Sequence, residues 1–175
     1  VEDDPEPAST DMKEQGRTVD CEPSSANQMQ ILTTDVSWAY FSAKTSPDAP
    51  IYVEVPTGMH AKPGTCGLLK RHMYGTRRAA EGWQDEYSGT LVSLGFTQGV
   101  ASACVFNHPD RGIAVSVHGD DFTTIGSKKD LDWFRGYLET KYELKESARL
   151  GAGTCDDKEG RVLNRVIRWL PGGLS

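Results

Sequence analysis

Apolar residues recur along this chain with two periods, and the changes from one to the other mark its elements. From Thr76 to Leu94 the residues Ala80, Trp83, Tyr87, Leu91 and Leu94 fall at intervals of three and four, which is one face of a helix. Gly95 is a natural stop. A second helix is predicted from about Lys128 to Tyr142, with Leu131, Phe134 and Leu138 as its buried stripe and Ser127 as its N-cap. Elsewhere the runs are short, alternating or β-branched. Met29 to Asp35, Ile51 to Val55, Thr65 to Lys70, Ala103 to Asn107, Gly112 to Val117 and Phe122 to Ile125 read as strands, and Pro56 closes the second of them. Val36 to Phe41 is an apolar turn or short helix, and Pro47 to Pro50 a loop. Ala148 to Gly160 reads as loop, Arg161 to Trp169 as a strand, and Pro171-Gly172-Gly173 as a turn whose return strand is cut off. This order suits an α/β (α+β) fold, an antiparallel sheet with helices packed on one face.

One stretch of that pattern carries chemistry. Between the apolar runs Val115–Val117 and Phe122–Ile125 lie His118-Gly119-Asp120-Asp121, a hairpin with two adjacent carboxylates at a glycine turn. No lysine or arginine stands between Arg111 and Lys128 to offset them. Solvent would, since Gly-Asp is ordinary turn chemistry; so would a divalent metal. Asp35 ends a predicted strand, and an antiparallel sheet brings strand ends together, which would set Asp35 beside Asp120 and Asp121. Three carboxylates are hard oxygen ligands of the kind Mg²⁺ prefers. Phosphoryl transfer onto a 3′-hydroxyl runs on two such ions about 4 Å apart. No Ser-His-Asp context or nucleophile elbow competes with that reading.

Composition changes the picture in one respect. The net charge of −6 argues against a polyanion partner. Residues 1–22, however, hold eight acids against Lys13 and Arg17, which leaves 17 acids and 17 bases in residues 23–175. The body is neutral, and residues 1–28 form an acidic tail poor in apolar residues and expected to be disordered. Within the body, Lys62, Lys70, Arg71, His72, Arg77 and Arg78 form a basic run with no acid from residue 55 to 80. It is either a solvated face or a source of phosphate contacts. Cys21, Cys66, Cys104 and Cys155 are scattered without zinc-ligand spacing and are expected to be reduced. No window approaches a membrane span, so no membrane partner is expected.

Asp35-Val36-Ser37-Trp38-Ala39-Tyr40-Phe41, then Ile51 to Gly58, resemble the first catalytic motif, and the strand after it, of copia-type retrotransposon reverse transcriptases. Met73-Tyr74-Gly75-Thr76-Arg77-Arg78 running into Trp83 is similar to their Leu-Tyr-Gly-Leu-Lys-Gln segment. Ser93-Leu94-Gly95-Phe96, Ala103-Cys104-Val105-Phe106 and the acidic hairpin follow in the family's order. The resemblance implies a polymerase palm with partial fingers over residues 29–175. It implies an RNA template, a DNA primer, deoxynucleoside triphosphates and two Mg²⁺ ions, in a cytoplasmic particle or the nucleus. Asp35 and Asp120 would be the catalytic metal ligands, with Asp121 in support and the Val36 carbonyl completing a shell. Tyr40 would lie under the sugar of the incoming nucleotide and exclude a 2′-hydroxyl; viral RNA polymerases sharing Gly-Asp-Asp carry an acid there. Arg78 stands where the family has a nucleotide-positioning glutamine, and Lys70, Arg71 and Arg77 would contact nucleic acid. His118-Gly119 replaces the family's Tyr-Val. Trp83 and Tyr87 are read as core, His118 as packing or hydrogen-bonded, and Lys145 as a surface lysine rather than a proton donor to pyrophosphate. With no fingers segment recognisable before Asp35 and no thumb or RNase H region, the chain reads as a polyprotein fragment. The alternative is an inactive remnant that at most binds nucleic acid.

Overall fold

The computed structural model describes residues 25–171 and 173–175. The first strand, β1 (Met29–Ser37), runs into one helical turn, α1 (Ala39–Ser42), and β2 (Ile51–Glu54) pairs with β3 (Cys66–Leu69) as a separate hairpin. There follow α2 (Ala79–Ser93), β4 (Thr97–Gln98), β5 (Val105–His108), β6 (Ile113–His118), β7 (Asp121–Ser127), α3 (Lys128–Glu139) and β8 (Glu143–Gly151). Six strands make one antiparallel sheet in the order β4-β5-β6-β7-β1-β8. The chain ends in β9 (Glu159–Val162), β10 (Arg165–Leu170) and β11 (Gly173–Leu174), a smaller sheet.

The large sheet has one dry face. Along β6, Ile113, Val115 and Val117 are buried while Ala114, Ser116 and His118 are exposed, the alternation that a sheet covered on one side requires. Helix α2 lays Trp83, Tyr87 and Leu91 on that face, and α3 lays Phe134 and Leu138 there, against Val36, Val117 and Phe122. Burying each of these large side chains is worth roughly 1.5–3 kcal/mol. Gly82 in the first turn of α2 marks a close approach, since a Cβ there would lie within 2.4 Å of the buried His72 ring. On the opposite face Ile31, Ala148 and Leu150 pack against Ile167 and Trp169 of β10. The α+β class, the antiparallel sheet and the helices on one face are therefore as the hydrophobic pattern predicts.

The C-terminal third departs from it. Ala148 to Gly151 are not loop but the end of β8, whose charged first half hides its period of two. A register shift opposite Thr33 and Thr34 breaks that period further. Arg161 to Trp169 is two strands, because Leu163 and Asn164 both take left-handed backbone (φ 46° and 65°) and turn the chain. Trp169 and Leu170 pair with Leu174 and Gly173, so a short return strand is present after all. Cys155 is disulfide-bonded, correcting the expectation of four reduced thiols; Cys66 and Cys104 are free. Most of the acidic tail, residues 1–24, lies outside the described residues. Among those described, no helix is long and apolar enough to cross a membrane.

Candidate active site

Asp35 and Asp121 are direct register partners across β1 and β7. The next amide, Val36 N–H, donates to the Asp120 carbonyl at 2.9 Å. Asp35 and Asp121 therefore form the non-hydrogen-bonded kind of pair, in which Cα atoms stand about 4.5 Å apart and side chains crowd most closely. Register extends the row: His118 of β6 is opposite Asp121, and Lys145 of β8 is opposite Asp35. Paired residues share a face of the pleat, so the row His118, Asp121, Asp35, Lys145 crosses four strands on the side away from the helices.

Asp120 sits at the tip of the hairpin. The loop is two residues long, Gly119 and Asp120, and of these only Gly119 is left-handed (φ 64°), the pattern of a type II′ turn. The Trp83 indole N–H donates to the Gly119 carbonyl at 2.7 Å, tying the turn to α2. Trp83 is core, as its helical spacing predicts, and it also holds the acidic tip.

The three acids interact. Partial burial pushes the Asp121 carboxyl above its ordinary pKa, the charges of Asp120 and Asp35 push it further, and His118 opposes the shift. Tyr74 lies in the same field: burial raises its phenol first, then Asp120, Tyr40 and Asp35. Sequence reading gave Tyr74 no role. Only its place in the segment before α2 hinted at one, because an aromatic in an irregular loop has no period to betray it. Tyr40 is half-buried, with its ring edge-on to Tyr74 at 4.4 Å, and it shares a small cavity with His118 and Gly119.

The predicted basic residues divide. Lys70 and Arg77 are exposed and have no ion-pair partner among the described residues. The Arg71 guanidinium donates to the Phe41 and Ser42 carbonyls at 3.2 and 2.7 Å, closing the end of α1. Arg78 is paired with Glu81 at 2.9 Å and lines a cavity of about 290 Å³ that includes none of the three acids. His72 is buried beneath α2.

Among the described residues, no three His, Cys, Asp or Glu side chains are gathered into a metal cluster. The donor set nonetheless fits a divalent cation. Two carboxylates face each other across one strand pair, a third adjoins them, and Asp121 shows the repulsion that a cation would relieve.

Over residues 23–152 the sequence matches the family described as reverse transcriptase (RNA-dependent DNA polymerase). The chain belongs to that family. No curated protein matches it. The matched span stops just beyond β8, so it takes in the six-stranded sheet with α1, α2 and α3 and leaves out β9 to β11. Reverse transcriptases act on a nucleic acid template and primer with nucleotide substrates, and they depend on divalent metals. The row containing Asp35 and Asp121 lies inside the matched span.

Proposed function

We propose that this chain is the palm, with part of the fingers, of a copia-type reverse transcriptase that joins deoxynucleotides to a primer 3′-hydroxyl on an RNA template. The observation that carries the reading is the cross-strand pairing of Asp35 with Asp121 next to Asp120. Asp35, Asp120, Asp121 and the Val36 carbonyl would hold two Mg²⁺ ions. Bound magnesium supplies positive charge that activates the attacking oxygen and steadies the leaving pyrophosphate.

The remaining work falls to the chain's own groups. Trp83 and Gly119 fix the height of the acidic tip. Tyr40, braced by Tyr74, offers a ring where the sugar edge would lie. Lys145, read from the sequence as a surface lysine, lies opposite Asp35 in the ladder, and that register supports a part for it as proton donor to the departing pyrophosphate. Arg78 would have to leave Glu81 to reach a nucleotide, so its part in positioning is the weakest of those the resemblance implies.

The test is primer extension with magnesium on a primed RNA template. Deoxynucleotide incorporation that is lost in Asp120→Asn is the expected result. No incorporation by this chain would favour the second reading, an inactive remnant that at most binds nucleic acid.

A further inference from the structure

The most exposed tryptophan of the core-bearing region is also among its most strained residues. Trp38, between β1 and α1, is 65 % exposed and holds left-handed backbone (φ 57°, ψ 33°), which is uncommon for a bulky side chain. The conformation turns the ring outward, next to Phe41 at 6.0 Å. Phe41 lies 5.8 Å from Tyr74, and Tyr74 lies 4.4 Å from Tyr40. Four rings thus run in unbroken contact from Trp38 to the field of Asp35 and Asp120, where Tyr74 stands. Tyr40 packs against the core, but core packing does not account for Phe41 and Tyr74, which are 38 % and 43 % exposed.

Trp38 and Phe41 line an open groove of about 620 Å³, together with Lys44, Arg71 and Lys141. Arg71 is held in place by the α1 carbonyls, and Lys141 by the Thr90 hydroxyl at 3.2 Å. Two acids share the lining. They are Glu86 and Glu143, the latter opposite Ser37 in the ladder, so the lining carries three cations against two acids. Aromatic faces beside fixed cations are what single-stranded nucleic acid requires, because every base has a π-face to stack and every linkage a negative charge.

We infer that the groove walled by Trp38 and Phe41 is a stacking site for unpaired bases of single-stranded nucleic acid, with Lys44, Arg71 and Lys141 on its phosphates. The site rests on the polymerase reading only for its purpose, which would be to hold unpaired template; the groove itself includes none of the three acids. Its chemistry stands without that reading.

The test uses the full chain, without magnesium or nucleotides, and follows tryptophan fluorescence during titration with oligothymidine and with an abasic oligomer of equal length. Oligothymidine is expected to quench Trp38 and to bind at least about fivefold more tightly than the abasic strand, the low end of what stacking one base supplies. Trp38→Gly keeps the left-handed backbone without strain. It should therefore hold or raise the melting temperature while abolishing the quench and weakening oligothymidine to the abasic level. Trp38→Phe should retain most of the affinity. Equal binding of both oligomers, or a quench that survives in Trp38→Gly, overturns the site. Primer extension on the same preparation separates the readings: a Trp38-dependent quench without extension removes the polymerase proposal and leaves the groove.

Discussion

Asp121 is where the site is least comfortable. Its carboxyl is pushed up by partial burial and by Asp120 and Asp35, so the folded chain binds that proton better than the unfolded one. The stability gained from the proton is present below the ordinary aspartate pKa of about 3.9 and is lost as pH rises through the raised value. Neutral pH therefore carries the full repulsion. Asp121→Asn is expected to raise the metal-free melting temperature at pH 7, with the gain shrinking as pH falls through the raised pKa and gone below about 4; thermal melts across that range would show it, and a lower temperature at pH 7 would contradict it. At Tyr40 the prediction concerns choice of sugar. Removing the ring in Tyr40→Ala should cut discrimination against ribonucleotides by about 10- to 100-fold, the range a shaped pocket gives, as read from competing single-nucleotide incorporation. The three aspartates and Tyr40 could be picked out as candidates along the chain, the acids by their place at a strand end and a turn and Tyr40 by the resemblance. Tyr74 could not, since its role comes from the neighbours that folding gives it.

Among the elements, the tie between α2 and the β6–β7 hairpin matters most for function. A two-residue turn positions Asp120 only as well as its backbone is held, and the Trp83 indole holds it at the Gly119 carbonyl. Trp83→Phe keeps an aromatic in the core but loses that bond, worth about 0.5–1.5 kcal/mol. The loss in stability should thus be small. The loss in primer extension should be larger, at about tenfold or more in kcat with little change in KM for nucleotide, because small displacements of reacting groups are expensive. A proportionate fall in folded fraction and activity would make Trp83 merely structural. Helical spacing disclosed which way Trp83 faces, yet nothing in it revealed the partner, 36 residues away.

For the molecule as a whole, a single apolar layer between the helices and the sheet carries the fold. Phe134 is 1 % exposed within it and packs on Phe96 at 5.3 Å. Phe134→Ala should destabilise by about 3–5 kcal/mol, a large part of the 5–15 kcal/mol typical of a domain, and denaturant unfolding would measure it. That layer was readable beforehand because periods of 3.6 and two are written residue by residue. By itself the sequence determined the helices, the central strands, the dry face and the identity of the acids, all of which follow from local spacing and side-chain chemistry. Only the tertiary structure decided what depends on register between distant strands. It set Asp35 opposite Asp121 and Lys145, turned the charged first half of β8 into a strand, bonded Cys155, and lined Trp38 up with the rings that lead to the acids. Such pairings join residues that have no neighbour relation along the chain, so no local pattern encodes them; hydrogen-bonded ladders and the packing of one shared core select them.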